Sequence, residues 1–174
     1  MTKLIHIVFF FLFATLFGYA QNESLDKLIE KFGSKEGFTT VSLKDPAVML
    51  SEMSDVKDQG ALKNALAGVD NLKILSFARG KSKNPGEGLL FIKDVRKFEP
   101  GAGFSTIMNM NDKESNIKVM VKKQGEKISD FVMTVAGPQE AVIIWMDGTI
   151  NLKQISTIGK LLNIKGADKI KDLE

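Results

Sequence analysis

Residues 115–149 read SNIKVMVKKQGEKISDFVMTVAGPQEAVIIWMDGT, three β-strands in succession. Ile117, Val119 and Val121 alternate with Asn116, Lys118, Met120 and Lys122, the period of two that a strand imposes on its side chains. Gln124-Gly125-Glu126 offers a turn, because glycine reaches positive φ without steric cost. A second alternating run places Phe131, Met133 and Val135 on one face and Asp130, Val132 and Thr134 on the other. Gly137-Pro138-Gln139 closes it, since proline donates nothing to a ladder and fits a turn. Ala141 to Met146 is apolar at every position and rich in β-branched residues. That pattern suits a strand with a neighbour on each side and cover on both faces. Asp147-Gly148 reads as its end. Short connections favour an antiparallel meander, and Phe104 to Asn111 is expected to add a fourth strand ahead of these three. Met120, Val132 and Thr134 leave one face only partly polar, so that face is expected to be covered by a helix or used for contact.

Upstream, Ser24 can cap a helix carrying Leu25, Leu28, Ile29 and Phe32 on one side, with Gly33 as its stop. Phe38 to Leu43 reads as a strand. Asp45-Pro46 is a helix start, with Met49, Leu50 and Met53 as its apolar side. Asp58 can cap a second short helix holding Leu62, Ala65 and Leu66, ended by Gly68. Leu72 to Ala78 reads as a strand, and Arg79 to Gly88, polar and glycine-rich, as a loop. Asn84-Pro85 resembles another helix start, and Phe91, Val95 and Phe98 keep helical spacing, although Leu89 to Ile92 alone would also suit a strand. Pro100 to Gly103 breaks the chain before the meander. After it, Asn151 and Gln154 form a variant capping box ahead of Leu152, Ile155, Ile158, Leu161 and Leu162, again at helical spacing. The expected class is α+β: a mostly antiparallel sheet with a C-terminal four-strand meander and helices packed on one side.

The first twenty residues have the form of a signal peptide. Lys3 supplies a positive start, Leu4 to Phe17 is nearly unbroken apolar sequence, and Gly18-Tyr19-Ala20 sets small residues before a boundary at Ala20-Gln21. The run is short of the roughly 20 apolar residues a membrane span needs. Removal would leave residues 21–174, a length suited to one α+β domain with its own core. No transmembrane helix is expected in that mature chain, and its expected location is periplasmic or secreted.

Several chemistries are excluded by composition. The chain has no cysteine, so disulfides and thiol catalysis are out. Its one histidine, His6, lies in the leader, which removes Ser-His-Asp triads and imidazole-bound zinc from the mature protein. The formal charge of +3 is spread among interspersed acids and bases, which argues against nucleic acid as a partner. Ser24-Lys27 and Ser115-Lys118 have S-x-x-K spacing, but no Lys-Thr-Gly accompanies them, so capping and solvated surface account for both. Gly80-Lys81-Ser82 lacks the earlier glycine of a phosphate loop, where Leu75 stands, and Gly101-Ala102-Gly103 meets Thr106 where a dinucleotide fingerprint needs glycine.

Two clusters remain. Arg79, Lys81 and Lys83 form a small basic group that can contact an anion or a headgroup, although solvated loop lysines are the commoner case. Met108, Met110 and Met120 are candidate thioether ligands for Cu(I), against the ordinary use of methionine as a filler of irregular core gaps. No other cofactor is implied. The carboxylates are scattered, and none shows the spacing of a calcium loop.

Phe131-Val132-Met133, Val142-Ile143-Ile144, Gly148 to Ile155, and Phe104 to Met108 followed by Ile117-Lys118-Val119 resemble the DUF4252 family. That resemblance implies a secreted or lipid-anchored envelope protein of Bacteroidota, with no established activity. It implies no catalytic residue, because the shared motifs are apolar. Ala20-Gln21, in place of a lipobox cysteine, implies the branch without a lipid anchor. Two functions stay open: a non-catalytic module binding a protein or small ligand in the envelope, and a hydrolase or glycan-acting enzyme built on paired carboxylates.

Overall fold

The structure is a computed structural model and describes residues 25–52, 59–83, 85–151, 155 and 157. The elements run α1 (Leu25–Phe32), β1 (Phe38–Lys44), α2 (Pro46–Glu52), α3 (Gln59–Ala65), β2 (Val69–Ala78), a 3₁₀ turn (Arg79–Lys81), α4 (Pro85–Lys97), β3 (Phe104–Asn111), β4 (Asn116–Gln124), β5 (Lys127–Ala136) and β6 (Glu140–Ile150). Ile155 and Thr157 are helical. The leader and its Ala20-Gln21 boundary, the Ser24 and Asp58 caps, Met53, Asn84 and most of the residues expected to form a C-terminal helix lie outside the described residues.

All six strands join one antiparallel sheet in the order β1-β2-β6-β5-β4-β3. The four-strand meander is present as expected, and β6 is central, hydrogen-bonded to β2 on one side and β5 on the other. This explains why Ala141 to Met146 is apolar throughout: Ile143 faces one layer and Ile144 the other, each at most 2% exposed.

Asp147-Gly148 does not end β6. The pairing with β2 slips between Val69 and Asn71, that with β5 slips between Ile128 and Asp130, and the strand runs on to Ile150. Gly148 sits at the slip with φ of 130°, and a side chain there would meet the Gly68 carbonyl oxygen at 2.2 Å. The glycine allows a bulge that continues the strand, rather than a stop. Likewise, the stretch Arg79 to Gly88 is not all loop, because α4 begins at Pro85. Gly88 is buried in that helix directly over Phe77, whose ring would lie 1.8 Å from any Cβ. The missing side chain lets the helix lie close to the sheet. Residues 89–92 are therefore helical.

The sheet has a core on each face. On one, α1 (Leu25, Leu28, Phe32) and α4 (Phe91, Ile92, Val95), with Phe98 just beyond it, cover Leu75, Phe77, Met120, Val132, Ala141 and Ile143. Thr134 is 1% exposed on that same face. The face that Met120, Val132 and Thr134 left ambiguous is thus the helix-covered one. Phe32, Phe38, Phe77 and Phe91 lock it, with ring centroids 5.0–5.4 Å apart in four pairs. The other face carries Leu72, Ile117, Val119, Phe131, Met133, Ile144 and Met146, against which Leu62 and Ala65 of α3, Leu66, Ala47 of α2 and Ile155 pack. Helix cover is therefore two-sided, not one-sided. The cause lies in the strands: β6 is apolar on both faces from Ala141 to Met146, and Met120, Val132 and Ala136 of β4 and β5 add apolar side chains opposite Ile117, Val119, Val121, Phe131, Met133 and Val135, so neither face can be left in water. On α2, Val48 and Met49 point outward, 59% and 42% exposed, so Met49 does not serve the apolar side expected of it.

Candidate functional site

The strand registers place side chains in rows across the sheet. One row on the second face runs Thr39, Ser76, Val142, Val135, Ile117, Met110 from β1 to β3. The next runs Val41, Ile74, Ile144, Met133, Val119, Met108. Burial rises along the first row as far as β4: Thr39 is exposed, Ser76 and Val142 are half-buried, Val135 is 9% exposed and Ile117 1%. A groove of about 820 Å³ opens where the row is least covered. Its floor is Ile74, Ser76, Val135, Val142 and Ile144. This volume lies in the range of about 300–1,000 Å³ typical of small-molecule sites, as does the mix of apolar floor and few polar groups.

Three turns form the rim, and short hydrogen bonds hold each of them. In the β3–β4 turn, the Asp112 carboxylate accepts from the backbone N–H groups of Glu114 and Ser115 at 2.8 and 2.7 Å. In the β5–β6 turn, the Gly137 N–H donates to the Glu140 carbonyl at 2.8 Å. The Arg79 N–H reaches the Gln139 carbonyl at 2.9 Å, tying the 3₁₀ turn to that second turn. Lys81, Lys113, Glu114, Gln139 and Glu140 consequently ring an apolar floor, with both signs of charge at the lip.

A second, smaller hollow of about 200 Å³ lies on the helix-covered face beside the start of α1. Asp130 and Asp147 stand directly opposite each other there, in a row that also holds Asn71 and Lys122. Each acid is held: the Asn71 amide donates to Asp147 at 2.8 Å, and the Ser129 hydroxyl donates to Asp130 at 2.9 Å. Lys73 pairs with Asp26 at 2.7 Å on the same rim. Among the described residues no three acidic or histidine side chains converge as a metal site.

The residues singled out from sequence are distributed as follows. Arg79, Lys81 and Lys83 are all exposed on the turn between β2 and α4, and of the three only Lys81 lines the groove. Met108 and Met110 share a face as their spacing requires, packed with the second core. Met120 belongs to the other core, under α1 and α4, so the sheet stands between it and the other two thioethers and the three do not meet on one ion. Ser115 and Lys118 serve separate contacts, the first in the Asp112 turn and the second in a 2.6 Å pair with Glu99. The groove floor was not visible as a site in the sequence. Alternation marks Ile74, Val142 and Ile144 as apolar strand residues, but only the β2–β6 and β5–β6 pairings set them side by side. The facing of Asp130 and Asp147 was hidden for the same reason.

The class this geometry defines is an α+β protein with a two-faced antiparallel sheet and an apolar groove at one end of its less covered face. The family model described as "Domain of unknown function (DUF4252)" matches residues 32–158, more than half of the chain, and the chain belongs to that family. No curated protein matches it. Among the described residues no helix is long and apolar enough to cross a membrane.

Proposed function

We propose that this is an exported envelope protein, periplasmic or secreted, that binds a small apolar or amphiphilic ligand in the groove between β1, β2, β6 and β5. Support for export comes from Lys3, the apolar run 4–17 and the Ala20-Gln21 boundary. In this reading residues 21–174 act as one unit. The observation that carries the binding role is the groove itself: about 820 Å³ over Ile74, Val135, Val142 and Ile144, with Ser76 the polar residue of the floor and the charged groups at the lip. An apolar chain would displace poorly held water from that floor, while Lys81, Lys113 and Gln139 would orient a polar end.

Titration with an environment-sensitive apolar dye tests this. Val142→Asp sets a charge in the half-buried floor and should weaken dye binding at least tenfold. Dye binding unchanged by that substitution, or absent from the parent protein, would sink the groove reading. Asp130 opposite Asp147 favours a second reading, a carboxylate-based hydrolase or glycan-acting enzyme. The hollow beside the pair is below the size usual for a substrate site. Release of reducing ends from a glycan panel, abolished by Asp147→Asn and untouched by Val142→Asp, would decide for the enzyme.

A further inference from the structure

The outer side of α4 is basic with an apolar tip. Its inner side, Gly88, Phe91, Ile92 and Val95, is spent on the core. Helical geometry puts Leu89, Leu90, Lys93 and Lys97 on the opposite side, with Arg96 at its margin. Leu89 and Leu90 are 50% and 52% exposed, and Lys93, Arg96 and Lys97 are exposed. The helix's own acids do not neutralise them. Glu87 pairs with Lys35 of α1 at 2.7 Å and Asp94 with Lys31 at 2.9 Å. Glu99, just past the helix, pairs with Lys118. Among the described residues Lys93, Arg96 and Lys97 have no carboxylate partner. The turn feeding the helix adds the exposed cations Arg79, Lys81 and Lys83.

We infer that α4 docks the protein reversibly on an anionic lipid bilayer, its two leucines entering the interface and its cations meeting lipid phosphates. The charge sign selects an anionic partner. The apolar part selects a membrane, since two half-exposed leucines fall far short of the roughly 800 Å² per partner of a standard protein interface. The same pair, flanked by lysine and arginine stems, suits a helix lying in the headgroup layer. This inference does not depend on what the groove binds.

Cosedimentation of the full chain with vesicles tests it. Parent and variants share the apolar N-terminal stretch, so differences between them report α4. On vesicles of phosphatidylcholine mixed with phosphatidylglycerol the parent should outbind the cation variants, an advantage that added salt removes and that phosphatidylcholine alone does not show. Each cation removed should cost about fivefold, and the triple change Lys93→Gln, Arg96→Gln, Lys97→Gln about a hundredfold, with circular dichroism unchanged. Leu89→Trp should add a fluorescence component that shifts blue on the mixed vesicles only. A triple change that costs nothing on the mixed vesicles, or as much on neutral ones, or no blue shift, would overturn the proposal. So would polyglutamate binding as tightly as vesicles, which would mark an acidic polypeptide as the occupant.

Discussion

On the face under α1 and α4, Phe32, Phe77 and Phe91 are 0–2% exposed and their rings interlock with Phe38. On the opposite face, the row from Thr39 to Ile117 passes from open to sealed within five strands. The strands are the same strands, and their alternation serves both faces. What differs is the size of the side chains at the β1–β2 end and what lies over them. Large aromatics there meet helices and leave no room; Thr39, Ser76 and Val142 are small and leave a groove. At the β1–β2 end, closed aromatic packing and an open groove therefore lie on opposite faces, a division that mutation can test.

The largest effect is expected at Phe32. Phe32→Ala removes a ring that stacks on Phe38 at 5.4 Å and meets Phe91 edge-on at 5.3 Å, in a site with no exposure. Loss of about 3–5 kcal/mol of unfolding free energy is expected from urea titration. Val142→Ala, half-exposed on the groove floor, should cost below about 1.5 kcal/mol by the same measurement. Equal losses at the two positions would erase the distinction between the faces.

Gly88→Ala comes next. The added methyl would overlap the buried Phe77 ring, so the helix must lift or the ring must turn, at about 1–3 kcal/mol. The comparison sharpens if Phe77→Leu, which vacates part of that space, lowers the cost of Gly88→Ala. Such coupling is the signature of direct contact. Additive losses would mean that α4 is not seated on β2 through this pair.

Much of the architecture was legible because alternation and helical spacing are local. The element order and the meander could be read along the chain, and the helical spacing of Phe91, Val95 and Phe98 was visible although Leu89 to Ile92 alone also suited a strand. Three things could not. Gly148 reads as a breaker, and only the slipped registers of β2 and β5 make it a bulge. The side on which a short helix packs is tertiary information, so Leu62 and Ala65 gave no hint that α3 covers the second face. The groove depends on Ser76 and Val142 becoming neighbours through a pairing of segments far apart in sequence. The methionines show the converse: period two correctly joined Met108 to Met110, and the same rule, applied to the next strand's Met120, sends it through the sheet.

The smallest effect is expected where α1 meets α4 at the surface. Lys31–Asp94 is short, 2.9 Å, but the lysine is 52% exposed and the carboxylate 24%. In that setting water screens the attraction, and ordering the lysine chain offsets part of it, so Asp94→Asn should cost only about 0.2–1 kcal/mol. Added salt should shrink that difference further, whereas the Phe32→Ala loss should hardly respond. The pair then governs charge rather than stability: without Asp94 the outer side of α4 is more cationic. Should Asp94→Asn destabilise as much as Phe32→Ala, the face under α1 and α4 would be held by its ion pairs and not by its interlocked rings.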